Sequence, residues 1–131
     1  MLQEIENVLK ELMQEIPGCR FLILIDTRRK TIALELWKDK TSRNRVSGKD
    51  FLHILDYVVL RGQERARNVF MRKALRGFRE LTFELERGYV IFTSIPFDNF
   101  VMVSGITKEV KPGFWKALLN EKLRKVKNAG D

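Results

Sequence analysis

The apolar segment Phe21–Ile25 (FLILI) constrains the fold more than any other feature of the sequence. It has the length of a strand, and it lies between Pro17-Gly18 and the polar stretch 26–30. A strand without a polar face is typical of a central strand that is buried on both sides of a sheet. Residues 31–37 continue with β-branched and aromatic side chains. The two segments therefore predict a hairpin whose first strand is central.

Amphipathic helices are predicted at both ends of the chain. Residues 2–16 carry apolar side chains at helical spacing and end at Pro17-Gly18, a strong helix stop. The apolar positions are Ile5, Val8, Leu9, Leu12 and Ile16. Pro112 is well placed near the first turn of a last helix. The apolar stripe of that helix consists of Trp115, Leu118, Leu119, Leu123 and Val126.

Three short strands are predicted between residues 80 and 105. Glu80–Glu86 alternates strictly between acidic or hydroxyl side chains and apolar ones, which indicates a half-buried strand or the edge of a sheet. Arg87-Gly88 predicts a tight turn into the strand Tyr89–Ile95. The stretch 96–99 predicts a second turn, into Phe100–Gly105. The three strands should form an antiparallel meander.

The middle of the chain is predicted to be a basic loop, 38–49, followed by a long helix, 50–77. Asp50 is the expected N-cap of this helix. The first part, 51–60, is apolar nearly all round, so it must be covered on two sides. The apolar positions change phase on the helical wheel after residue 60. We therefore expect a kink near Gly62, which lies between the two patterns.

The positive charge is concentrated in this middle region. The chain has 131 residues and a net charge of +8. Residues 38–79 account for the whole excess, which suggests an anionic partner surface. The expected helix places several arginines within about 60° of one another on the wheel. These candidate anion or partner residues are Arg61, Arg65, Arg72, Arg76 and Arg79. A solvated polar face without a partner is the alternative interpretation.

Composition limits the class of protein further. The length suits a single domain, 1–131, and a hydrophobic fraction of 44% is enough for a real core. Cys19 is the only cysteine, and the chain does not open with a basic and then apolar leader, so a reducing cytoplasm is the expected location. The longest apolar runs are much shorter than the 18 or so residues that a membrane span requires.

The residue types that carry chemistry are sparse. His53 is the only histidine, which argues against a zinc site built on paired histidines and against a serine protease triad. With Asp56 it is expected to form a polar pair on the helix surface. Cys19 is expected to be a small buried residue, and no phosphate-binding glycine loop is present in the sequence. We therefore expect no catalytic, metal or cofactor site, and a protein that is not an enzyme.

The order of elements resembles the roadblock, or dynein light chain, family of profilin-like domains. The resemblance rests on short motifs and on the terminal amphipathic helix. The motifs are Leu9-x-x-Leu12, Ile16-Pro17-Gly18 before the strand 21–26, Leu81-Thr82-Phe83-Glu84 and Gly88-Tyr89-Val90-Ile91. It implies an α+β domain of order α-β-β-α-β-β-β-α, in which a five-stranded antiparallel sheet carries the middle helix on one face and the terminal helices on the other.

The resemblance also implies function. Members usually form homodimers or heterodimers through their middle helices and third strands, and they act as scaffolds or regulators for small Ras-like GTPases or motor complexes. The dimer interface would comprise Phe51, Leu52, Leu55, Val58, Val59, Leu81, Phe83 and Leu85. The alternative is a protein that binds a polyanion, nucleic acid or an anionic membrane surface, through residues 38–79. Such binding would depend strongly on salt.

Overall fold

The computed structural model describes residues 2–39, 47–57, 79–95 and 99–129. Its helices are α1 (Leu2–Glu15), α2 (Gly48–Leu55) and α3 (Pro112–Ala129). Its strands are β1 (Cys19–Asp26), β2 (Thr31–Trp37), β3 (Glu80–Glu84), β4 (Gly88–Ser94) and β5 (Phe100–Thr107). The strands form one antiparallel sheet in the order β2-β1-β5-β4-β3. The predicted α+β class, element order and meander are confirmed.

The strand β1 is central, as its apolar run predicts. Its side chains alternate between two cores on opposite faces of the sheet. Leu22 and Leu24 pack in the core beneath α1 and α3, whereas Ile23 and Ile25 pack beneath α2. All four side chains are fully buried. The middle helix therefore lies on one face of the sheet and the terminal helices on the other.

The start of α2 differs from the prediction. Ser47, and not Asp50, is the N-cap, which lies three residues earlier than expected, and the helix begins at Gly48. Asp50 occupies the third helical position, where Oδ2 accepts a hydrogen bond from the Ser47 backbone N–H at 2.8 Å. This is the reciprocal arrangement of a capping box. The predicted continuation of the helix to residue 77 and the kink near Gly62 lie outside the described residues.

Glu35 joins the beginning of α2 to the sheet. Its Oε1 atom accepts a hydrogen bond from the Gly48 backbone N–H at 3.0 Å and another from Trp37 Nε1 at 2.7 Å. The first turn of a helix has backbone N–H groups without partners inside the helix, and a carboxylate there is favoured by the helix dipole. One side chain of β2 thus helps to fix where α2 starts.

The hairpin between β1 and β2 contacts the C-terminal end of α2. Asp26 Oδ1 accepts hydrogen bonds from the backbone N–H groups of Arg28 and Arg29, both at 3.0 Å. Lys30 then takes the left-handed conformation, with φ of 54°, which costs a residue with a side chain about 1–2 kcal/mol. Its Nζ atom lies 3.3 Å from Asp56 Oδ1, just after α2. This ion pair connects the hairpin to the helix.

A row of aromatic rings crosses the sheet beneath α2. Phe21 of β1 lies 4.8 Å from Trp37 of β2 and 5.0 Å from Phe51 of α2, measured between ring centroids. Phe51 lies 6.3 Å from Phe92 of β4, which lies 5.9 Å from Phe83 of β3. Aromatic pairs at such separations contribute about 0.5–1.5 kcal/mol beyond their buried area. The row therefore links both edges of the sheet to the helix.

Gly105 makes room for this row. The strand β5 continues to Thr107, although the sequence pattern predicts its end at Gly105. A Cβ atom at residue 105 would overlap the ring of Phe21. Glycine is therefore required in the middle of a strand, where it is otherwise unfavourable, because an aromatic ring covers it.

This requirement can be tested with two glycine substitutions. We expect Gly105→Ala to lower the free energy of unfolding by about 1–3 kcal/mol, because the Phe21 ring must leave its position. Gly113→Ala is the control, since open space surrounds this helical glycine. The control should leave stability unchanged or raise it by up to about 1 kcal/mol. Urea denaturation measures both, and equal stabilities would contradict the assignment.

Candidate interaction surface

The outer edge of β3 is the main candidate surface. Within the part of the chain that the structure describes, β3 pairs with β4 alone. The Arg79 carbonyl accepts a hydrogen bond from Ser94 N–H, and Leu85 N–H donates to the Gly88 carbonyl. Because bonded and non-bonded pairs alternate in an antiparallel ladder, residues 81 and 83 also bond to β4. The backbone groups of residues 80, 82 and 84 therefore point away from the sheet.

The apolar side chains of this edge lie on the face of the sheet that α2 covers. Leu81 is half-buried and packs against the core beneath that helix. Phe83 is the last ring of the aromatic row and is 37% exposed, while Leu85, just past the strand, is 52% exposed. Exposed apolar side chains beside an unpaired strand edge are typical of a site for strand pairing.

The edge also has a polar side, which faces α3. Glu80 lies 2.7 Å from Lys116 Nζ, and Glu84 lies 2.8 Å from Lys108 Nζ. The hydroxyl of Thr82, between the two carboxylates, donates to Glu80 Oε1 at 2.7 Å. Each acidic side chain of β3 on this side is thus matched by a lysine from elsewhere in the fold.

These contacts lower the pKa of both carboxyl groups. Hydrogen bonds from Lys116 and then from Thr82 hold the pKa of Glu80 below its ordinary value, against a small opposing effect of burial. The hydrogen bond from Lys108 lowers the pKa of Glu84, and the charge of Lys108 adds to the effect. Both side chains therefore stay ionised at neutral pH, and each contact is a charge-assisted hydrogen bond.

The outward face of α2 and the residues directly after it form a second exposed surface. Ile54 is 39% exposed and Tyr57 is 70% exposed, and His53 lies beside them. Of the interface residues expected on this helix, Phe51 and Leu55 are buried against the chain's own sheet. The remaining expected residues are Leu52, which is half-buried, and Val58 and Val59, which lie outside the described residues.

The expected arginine surface is described at one position only. Arg79 is exposed and directly precedes β3. The other four candidates, Arg61, Arg65, Arg72 and Arg76, lie outside the described residues. Lys38, at the start of the basic segment, donates from Nζ to the carbonyl of Ile16 at 2.9 Å and to that of Pro17 at 3.1 Å. Lys38 therefore satisfies two backbone carbonyls directly after the first helix.

The described residues offer little reactive chemistry. Burial raises the pKa of the Cys19 thiol to about 12, so that the nucleophilic thiolate is scarce at neutral pH. Across the four described ranges, histidine, cysteine and carboxylate side chains form no group of three that could hold a metal ion. The helices seen there are too short or too polar to cross a bilayer.

Sequence reasoning missed four residues of these surfaces. Ile54 and Tyr57 were not among the expected interface positions, although they lie in the apolar helix. Lys108 and Lys116 belong to a loop and a helix far from β3 in sequence, so their contacts with β3 depend on the tertiary fold. The alternation of acidic residues in β3 could have predicted nearby cations, because it places carboxylates on one side of the strand, where positive charges stabilise them.

The acidic contacts generate a pH prediction. The folded pKa values of Glu80 and Glu84 lie below those of the unfolded chain, so their stabilisation is fully present above pH 4.5 and is lost as the pH falls through the folded values. The double variant Glu80→Gln, Glu84→Gln should therefore lose less stability between pH 7 and pH 3 than the parent. Urea unfolding at both pH values measures this. Glu11→Gln, on the exposed face of α1, is the control, and an unchanged loss in the double variant would contradict the prediction.

Comparison with solved structures identifies proteins of similar fold. Myxococcus xanthus MglB superposes with a TM-score of 0.69 at 12% identity, covering 98% of this chain and 91% of that one. The gliding protein MglB from Thermus thermophilus gives 0.65 at 18% identity, covering 95% and 88%. A Roadblock/LC7 domain from Streptomyces avermitilis gives 0.64 at 10% identity, covering 92% of each chain.

Sequence comparison adds no relative. No family model matches the chain, and no curated protein matches it. The structural likeness nevertheless extends over 92–98% of this chain and 88–92% of the other in these comparisons. The protein has the fold of the roadblock/LC7 domains.

Proposed function

We propose that this protein is a non-enzymatic homodimeric interaction module, similar to the roadblock-type regulators of small Ras-like GTPases or motor complexes. The observation that carries the proposal is the edge of β3, whose backbone groups at residues 80, 82 and 84 point outward beside exposed apolar side chains. The roadblock/LC7 fold supports it, since the resemblance implies pairing of third strands.

A second copy of the chain suits this edge. Natural edge strands are commonly blocked by a bulge, a proline or an inward-pointing charge. The ladder between β3 and β4 runs without a register shift, and the strand (ELTFE) contains no proline. Its carboxylates are matched by lysines of the same chain. An edge that has β4 as its one neighbour among the described residues, and whose charges are balanced, pairs readily with an identical strand about a two-fold axis.

The proposed GTPase partner would bind a surface that the dimer forms. Proteins of this class act by contact, so they need no reactive site of their own. The exposed side chains of Ile54 and Tyr57 provide an apolar surface beyond the edge itself. Aromatic side chains such as Tyr57 are common at the centres of protein interfaces.

The polyanion alternative rests on five arginines, of which Arg79 is exposed and the other four lie outside the described residues. If it is correct, wild-type protein will bind DNA, RNA or anionic vesicles with an affinity that falls steeply as salt is raised. The two proposals also differ in what disrupts them, because polyanion binding depends on charge and does not require an open β3 edge.

Blocking the edge tests the dimer. Thr82→Pro removes a backbone N–H that points outward, so the ladder with β4 keeps its hydrogen bonds. We expect the wild type to sediment as a dimer at micromolar concentration and Thr82→Pro to sediment as a folded monomer. Thr82→Val, which retains the N–H group and the β-branched shape, should remain a dimer. A monomeric wild type, or a dimeric and folded Thr82→Pro, would contradict the proposal.

Binding to a GTPase tests the partner. The most informative candidate is a small Ras-like GTPase encoded near this protein's gene, loaded with a non-hydrolysable GTP analogue. Isothermal titration should show binding to the wild type and to Thr82→Val. If the surface belongs to the dimer, Thr82→Pro should bind at least about tenfold more weakly, a loss of about 1.4 kcal/mol. Equal affinity for all three proteins would show that dimerisation is not needed.

A further inference from the structure

Building on the proposed homodimer, we infer that the two β3 strands pair in one register, with Thr82 on the two-fold axis. In this register Glu80 lies opposite Glu84 of the second copy, and Lys116 and Lys108 compensate the charge of these carboxylates. This register determines which backbone groups and side chains of the edge contact a second copy.

The direction of the backbone groups limits the possible registers. Only residues whose N–H and C=O point outward can bond to another strand, and these are Glu80, Thr82 and Glu84. An even-numbered residue must therefore lie opposite an even-numbered one. The symmetric pairings that keep the axis within the middle of the strand are centred on Leu81, Thr82 or Phe83.

Hydrogen bonding favours the pairing centred on Thr82. There, each of the three outward residues meets an outward residue of the second copy and exchanges both bonds with it. A centre at Leu81 leaves Glu84 opposite a residue before the strand, and a centre at Phe83 leaves Glu80 opposite Glu86 in the turn. The register centred on Thr82 is the one that pairs all of β3 with all of its copy.

The apolar side of the edge agrees with this register. Leu81 lies directly opposite Phe83 of the second copy, and Phe83 opposite Leu81. Half-buried Leu81 and partly exposed Phe83, the last ring of the aromatic row, would therefore cover one another across the axis. Aromatic and aliphatic side chains directly opposite each other stabilise antiparallel strands.

The polar side shows why the lysines matter. The same register places two pairs of carboxylates directly opposite each other, and like charges in that position are destabilising. Lys116 lies 2.7 Å from Glu80 and Lys108 lies 2.8 Å from Glu84, so each carboxylate already carries a cation. Two such ion pairs from each copy form a balanced cluster at the axis. Without the lysines, the carboxylates would repel the second copy.

Single cysteines test the register. In the proposed pairing, the two Thr82 Cα atoms would be about 5.5 Å apart, as in a bonded pair, which is within the roughly 4.4–6.8 Å that a disulfide spans. The two Leu81 positions, and the two Phe83 positions, are diagonal and about 7–8 Å apart. Mild oxidation should therefore cross-link Thr82→Cys but neither Leu81→Cys nor Phe83→Cys. The wild type is the control, because its only thiol, Cys19, is buried.

Charge variants test the role of the lysines. Lys108→Met with Lys116→Met should weaken dimerisation by roughly tenfold in sedimentation equilibrium, since two opposed carboxylate pairs lose their cations. Adding Glu80→Gln and Glu84→Gln to that variant should restore most of the affinity. An unchanged dissociation constant in the lysine variant, or no recovery in the combined one, would overturn the charge cluster.

The outcomes separate this inference from the proposed function. A dimer that cross-links through Leu81→Cys or Phe83→Cys, or through none of the three cysteines, overturns the register and leaves the dimer in place. A wild type that is monomeric overturns both. Cross-linking confined to Thr82→Cys, in a protein that sediments as a dimer, supports both.

Discussion

The structure depends on the contact between the Phe21 ring and the backbone of Gly105. Because residue 105 has no side chain, the ring can occupy the space beside β5, where it contacts Trp37 and Phe51. The helix α2 packs against the Phe21 ring through its own ring, Phe51. Glu35 at its beginning and the Lys30 ion pair at its end attach it further. One glycine in a central strand thus leaves room for the ring against which the middle helix packs.

The same row of rings connects the core to the candidate surface. It begins at Trp37 on one edge strand and ends at Phe83 on the other, where the ring is partly exposed. Pairing with a second copy would complete the burial of that last ring. On the opposite side of the strand, Lys108 and Lys116 remove the charge penalty that the glutamates would impose. In the proposed dimer, packing and electrostatics would therefore both favour association at this edge.

The sequence predicted the parts of the fold that depend on local pattern. The run 21–25 predicted a central strand, and the alternation from Glu80 predicted a half-buried strand or the edge of a sheet. It could not predict contacts between distant segments, such as those of the two lysines with β3. Gly105 shows the limit most clearly, because glycine suggests the end of a strand, whereas here it accommodates a ring. Ser47 was different, since serine followed three residues later by an acid is a local capping signal that could have been recognised.

The contact between Phe21 and Gly105 also bears on how such proteins diverge. A larger side chain at residue 105 fits without displacing the ring only if the side chain at residue 21 becomes smaller, so the two positions should covary among chains that share the fold. Comparisons that score each position independently do not register a constraint of this kind. Paired substitutions of this kind preserve packing while they lower sequence identity. This chain accordingly shares its fold with a solved structure at 12% identity, while no family model matches its sequence.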